Sequence, residues 1–175
     1  HHVLLNLLED VKSSLAVATP GKGGWSVQPL QGAPRFSTAS ASAVDGDESD
    51  AYFMTVSGYL APTSLSMGTL GRGKAEKLKA MPAYFDSEGL EVSQHFATSK
   101  DGTKVPYFQV APKGVKLDGA NPTLLYGYGG FEISLTPSYN ASVGLAWLRK
   151  GGVYVVANIR GGGEYGPQWH QAALK

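Results

Sequence analysis

Pro122-Thr123-Leu124-Leu125-Tyr126 is a short apolar run that breaks into Gly127-Tyr128-Gly129-Gly130-Phe131, and Val153-Tyr154-Val155-Val156-Ala157-Asn158-Ile159 is a second run, nearly continuous in apolar and β-branched residues. Runs of this kind suit strands covered on both faces of a sheet. Between them, Thr136 and Pro137 resemble a helix start, a cap followed by proline. Leu145, Trp147 and Leu148 then give an apolar stripe that Gly151-Gly152 stops. A helix is expected near residues 138–150. Strand, helix, strand in this order is the βαβ unit of an α/β sheet with a right-handed crossover.

Downstream come Arg160-Gly161-Gly162-Gly163-Glu164-Tyr165-Gly166-Pro167 and an expected helix from Gln168, which still runs at Ala173-Leu174-Lys175. The start at His1-His2 and this finish both read as cut ends. Upstream, Val92, Gln94 and Phe96 share one face of a strand, Lys100-Asp101-Gly102-Thr103 supplies a turn, and Val105, Tyr107 and Gln109 share one face of the return strand. From Gly71 to Met81 the composition turns to glycine and lysine and Pro82 follows, so a domain boundary is expected there. Before it, Val3-Leu8, Ser14-Thr19, Ser40-Val44, Tyr52-Val56 and Ser64-Thr69 are short strand-like runs spaced as in a sandwich, barrel or propeller. The chain thus divides into an expected β domain over residues 1–80 and an expected α/β segment over residues 81–175.

The 175 residues are 42% hydrophobic and 17% charged, with 23 glycines and 10 prolines, which describes a folded, loop-rich chain. The net charge of +1 is spread without blocks, so neither nucleic acid nor an anionic membrane is an expected partner. No apolar run approaches the roughly 20 residues that span a bilayer, so the chain reads as soluble, with cytoplasm and periplasm both open. With no cysteine there is no disulfide framework, thiolate metal site or cysteine nucleophile.

Three motif readings carry little. Gly161, Gly163 and Gly166 fit G-x-G-x-x-G, but Glu164 would set a negative charge beside a bound pyrophosphate, and a tight strand-to-helix turn explains the glycines. The acidic run Asp45-Gly46-Asp47-Glu48-Ser49-Asp50 lacks the distal glutamate of a calcium loop and reads as a solvated turn. His1, His2, His95 and His170 have no metal-ligand spacing. No cofactor and no metal are expected. Tyr126 to Phe131 is more specific: glycines and aromatics at the C-terminal end of a strand lie where open α/β sheets bind ligands. Whether they form a site or only turn and pack the chain stays open on these grounds.

Leu125-Tyr126-Gly127-Tyr128-Gly129-Gly130-Phe131-Glu132-Ile133-Ser134-Leu135-Thr136-Pro137, Gly151-Gly152-Val153 and Ala157-Asn158-Ile159-Arg160-Gly161-Gly162-Gly163-Glu164-Tyr165-Gly166 together resemble the start of the peptidase domain of prolyl oligopeptidases. Ser99 to Pro106, Lys116 to Gly119 and, less sharply, Ser57 to Leu65 are similar to the same family. The resemblance implies the C-terminal blades of a β-propeller followed by the first part of an α/β-hydrolase domain. It also implies a serine peptidase that cleaves short peptides, typically after proline, through a Ser-Asp-His triad and without a cofactor.

Carried over by that resemblance, Tyr128 is the oxyanion-hole tyrosine, and Phe131 is an aromatic wall of the pocket for the substrate proline. A phenol, with an ordinary pKa near 10, keeps its proton at neutral pH and can donate to developing negative charge. No Gly-x-Ser-x-Gly occurs, so the chain by itself is expected to be inactive. Arg160 and Glu164 are expected to pair. Two other functions fit the residues: a non-catalytic peptide-binding propeller module, and a related acyl-aminoacyl peptidase or esterase.

Overall fold

The computed structural model describes residues 2–174; His1 and Lys175, and the readings that touch them, lie outside the described residues. Contacts divide the chain into two compact units, His1–Pro82 with Pro137–Tyr139, and Ala83–Thr136 with Asn140–Lys175.

The first unit holds two antiparallel sheets. One is the meander β1 (Val3–Glu9), β2 (Lys12–Gly21) and β3 (Gly24–Pro29). The other is the meander β4 (Ser37–Ala43), β5 (Ala51–Gly58), β6 (Ser64–Thr69) and β7 (Glu76–Ala80). Leu15 from the first sheet joins Ala39, Ala41, Tyr52 and Met54 from the second in one buried cluster. Gly68 on β6 makes room for the ring of Tyr52, since a Cβ there would sit 2.6 Å from it; Tyr52 is 1% exposed, and burying a side chain of that size contributes roughly 1.5–3 kcal/mol. Burial also raises the Tyr52 hydroxyl above the ordinary phenol pKa. Asn6 ties the sheets directly, its amide donating to the Ala41 carbonyl (3.0 Å) and its side-chain oxygen accepting from the Ala41 N–H (2.7 Å).

Sequence periodicity missed β3 and β7. Trp25 and Val27 on β3 are 61% and 54% exposed, and β7 is exposed throughout, so neither strand carries the one-sided apolar pattern that marks a buried strand. Gly71–Met81, where a domain boundary was expected, therefore contains a strand.

The second unit is built on one mixed sheet with strand order β10-β11-β9-β8. Strands β8 (Leu90–Thr98) and β9 (Lys104–Pro112) form the expected hairpin, but its core face is the one opposite Val105 and Tyr107: Phe108 and Val110 are fully buried. Strand β11 (Val153–Ala157) lies between β9, antiparallel to it, and β10 (Thr123–Gly127), parallel to it.

The β10–helix–β11 connection is the expected βαβ unit, with two adjustments. The helix is shorter, α1 (Ala141–Ala146) followed by a 3₁₀ turn at Leu148–Lys150. Its cap is Asn140, whose side chain accepts from the Val143 N–H at 3.0 Å, rather than Thr136. Asn and Thr are both good caps, and Pro137 is held in the other unit, where its carbonyl accepts from the Thr38 hydroxyl at 2.7 Å. Strand β10 also departs from expectation. Read as covered on both faces, it is exposed along its whole length, with Leu125 67% exposed, because it is the edge strand and no described element covers it.

Candidate active-site loop

Because β10 and β11 are parallel neighbours, the loops that follow them leave the same end of the sheet. The first loop runs from Tyr128 to Thr136 and the second from Asn158 to Gly166. Glycine makes their close approach possible. A Cβ on Gly161 would sit 2.0 Å from the Gly129 carbonyl oxygen, and one on Gly163 would sit 2.2 Å from that of Glu132. Gly161 also has φ of +101°, a region that favours glycine. The Glu132 N–H donates to the Gly161 carbonyl at 3.2 Å, joining the two backbones.

On this base the first loop presents its aromatics outward. Tyr128 is 45% exposed, and a Cβ on Gly130 would meet its ring at 3.4 Å, an ordinary van der Waals distance. Phe131 is 83% exposed and has φ of +53°; Glu132 follows at +56°. Two successive non-glycine residues in the left-handed region are strained, and such strain persists only where the surroundings impose it. Phe131 also borders an open hollow formed with Gly129, Gly161, His170 and Leu174.

Beneath the loops, Asn158 is fully buried and Glu164 is 6% exposed. One Glu164 carboxylate oxygen accepts from the Leu135 N–H (3.0 Å) and from the Asn158 amide (3.2 Å). The same Asn158 amide donates to the Leu135 carbonyl at 2.8 Å. The other Glu164 oxygen and the Asn158 side-chain oxygen have no hydrogen-bond partner among the described residues.

The expected Arg160–Glu164 pair is not formed. Arg160 reaches back to the β8–β9 turn, where its guanidinium pairs with Asp101 and donates to Thr103 (3.4 Å) and Ser99 (3.2 Å). The Arg160 guanidinium, with the Thr103 backbone N–H behind it, holds the Asp101 carboxyl well below the usual carboxylate range. Glu164 instead turns into the interior, where amide donors can satisfy a carboxylate oxygen. A choice between acids four and many residues away is not made by local spacing.

The second loop closes on α2 (Pro167–Gln171), where the Gly161 N–H donates to the Trp169 carbonyl at 3.0 Å and the Trp169 indole donates to the Ile159 carbonyl at 3.2 Å. His170 Nδ1 lies 2.7 Å from the Gly161 carbonyl and 3.2 Å from the Glu132 N–H. His170 is therefore bound to both loops. Among the described residues no group of three or more His, Cys, Asp and Glu is placed to hold a metal ion.

A parallel strand pair whose C-terminal loops interlock and expose a tyrosine is the kind of strand end at which open α/β sheets bind ligands. Comparison with known proteins gives the family. Residues 139–175 match the family model described as the prolyl oligopeptidase family. An uncharacterized peptidase, y4nA, of Sinorhizobium fredii is 52% identical over 175 residues, covering 100% of this chain and 24% of that protein. A prolyl endopeptidase of Elizabethkingia miricola is 41% identical over 142 residues, covering 81% of this chain and 20% of that one. Prolyl oligopeptidase B from Galerina marginata, solved bound to a 35mer hydrolysis and macrocyclization substrate, superposes with a TM-score of 0.81 at 28% identity, over 98% of this chain and 24% of that one.

The chain belongs to the prolyl oligopeptidase family. Its three sheets and short helices fit the propeller region and the start of the hydrolase domain of these proteins. It spans only a fifth to a quarter of the length of the two relatives quoted above, 20% and 24%.

Proposed function

We propose that this chain is part of a serine peptidase that cleaves short peptides after proline by acyl transfer, with Tyr128 as one donor of the oxyanion hole and Phe131 as a wall of the proline pocket. Residues 1–80 then belong to the propeller and residues 81–175 to the peptidase domain. The observation that carries this reading is the loop after β10. It holds a half-exposed phenol and an almost fully exposed, strained phenylalanine together at the C-terminal end of a parallel strand pair. An apolar ring held outward against backbone strain makes sense where it meets a ligand, and a flat ring suits a rigid, apolar five-membered one.

The chemistry follows from the groups. As a nucleophile adds to the scissile carbonyl, its oxygen gains negative charge, and the Tyr128 hydroxyl donates a hydrogen bond to it. The charge collapses when the leaving amine departs, so the donor stabilises the transition state more than the bound peptide. This chain has no Gly-x-Ser-x-Gly, so the nucleophile comes from residues outside it.

The reading is tested with an intact peptidase carrying this segment and fluorogenic peptides that place proline or alanine before the scissile bond. Preference for proline in kcat/KM supports it. Equal turnover of both favours the related acyl-aminoacyl peptidases, and binding without turnover favours a non-catalytic peptide module.

A further inference from the structure

We propose that Glu164 and Asn158 are positioning residues for the oxyanion donor, acting as a buried clamp on the backbone of Leu135. The inference rests on the reading of Tyr128 given above. It starts from a cost: a carboxylate 6% exposed, with one oxygen unpartnered among the described residues, is an expensive group to keep in an interior. No described cation offsets it, since the neighbouring Arg160 is committed to Asp101.

What Glu164 does there is visible in its bonds. It takes the Leu135 N–H, Asn158 takes the Leu135 carbonyl, and the Asn158 amide also binds Glu164. The amide orientation of Asn158 is set by these partners. Turned over, its oxygen would face two acceptors, the Leu135 carbonyl and the Glu164 carboxylate. The backbone of Leu135 is thus held through its N–H and its carbonyl, one from each of the two peptide groups that flank its Cα, by side chains from the loop after β11.

Leu135 lies near the far end of the Tyr128 loop, whose near end leaves β10. Between these anchors, Gly161 and Gly163 press against the Gly129 and Glu132 carbonyls, and Phe131 and Glu132 are forced to positive φ. A loop fixed at both ends and pressed from below has little freedom. Releasing the Leu135 end lets Phe131 and Glu132 relax and shifts the Tyr128 hydroxyl, and a displacement of about 1 Å at a reacting group can cost on the order of a hundredfold in rate.

The test is a double-mutant cycle in the intact peptidase, with kcat expressed per active site titrated by a fluorophosphonate. Asn158→Ala removes both amide donations, whereas Glu164→Gln keeps the volume and one accepting oxygen while weakening it. With Tyr128 present, Asn158→Ala should lower kcat about ten- to a hundredfold and Glu164→Gln about three- to tenfold. In the Tyr128→Phe background, where the donor to be positioned is gone, each should lower kcat less than about twofold. Equal losses in both backgrounds, or no loss with Tyr128 present, overturn the clamp while leaving the role of Tyr128 intact. If Tyr128→Phe itself leaves kcat unchanged, the functional reading fails and the clamp fails with it. Should Asn158→Ala not fold, the near-isosteric Glu164→Gln carries the same comparison.

Discussion

Phe131 combines 83% exposure with a left-handed backbone, two features that stability alone does not favour. For an L-residue this conformation costs roughly 1–2 kcal/mol, while glycine adopts it freely. Phe131→Gly in the intact peptidase should therefore leave the melting temperature unchanged or higher. Loss of the ring should lower kcat/KM for proline peptides about ten- to a hundredfold, the equivalent of roughly 1.5–3 kcal/mol of lost apolar contact. Parallel steady-state kinetics and thermal melts check both halves. A lower melting temperature with unchanged kcat/KM would make Phe131 a packing residue. The loop that holds Tyr128 and Phe131 stood out in the sequence because glycines are interleaved with aromatics at a strand end, whereas the roles proposed for the two residues come from the family resemblance. Asn158 and Glu164 did not stand out, because they bind the backbone of a single residue, Leu135, which leaves no spacing signature.

At the scale of elements, strands with a one-sided or continuous apolar pattern were readable, and exposed strands such as β3 and β7 were not. The interlocking of the two strand-end loops was foreseen only as a tight turn. Its strength is open to a direct test: Gly161→Ala would place a Cβ 2.0 Å from the Gly129 carbonyl oxygen at φ of +101°, so backbone must move. A loss of stability of about 1–3 kcal/mol is expected in urea unfolding, whereas Gly114→Ala, with φ of +71° and nothing near its missing side chain, should cost only the backbone strain.

The Arg160–Asp101 pair anchors the same loop to the β8–β9 turn and gives a pH dependence. Because the folded-state pKa of Asp101 lies below its unfolded value, the pair's contribution is fully present above about pH 4 and is lost as the pH falls toward the lowered value. The difference in urea midpoint between parent and Asp101→Asn should accordingly shrink below about pH 4. A difference that stays constant from pH 7 to pH 2 would show that charge pairing contributes nothing.

For the whole molecule, the sequence made the two kinds of architecture readable, a β-rich stretch and a βαβ unit, while the environment of β10 was not readable. A continuous apolar run announces that a strand is to be covered, and it carries no information on which residues cover it. With Leu124, Leu125 and Tyr126 exposed on an edge strand, the 175-residue chain alone offers a template for edge-to-edge pairing. Sedimentation of the isolated chain should show concentration-dependent association, and a monomer at all concentrations would mean that the edge is protected.

The central claim is that the loop after β10 delivers one hydroxyl to a peptidase transition state. The most direct measurement is kcat and KM for a proline-containing fluorogenic peptide with the intact peptidase and its Tyr128→Phe variant. Loss of one oxyanion donor should lower kcat about a hundred- to a thousandfold, roughly 3–4 kcal/mol, with KM changed far less. An unchanged kcat would contradict the account.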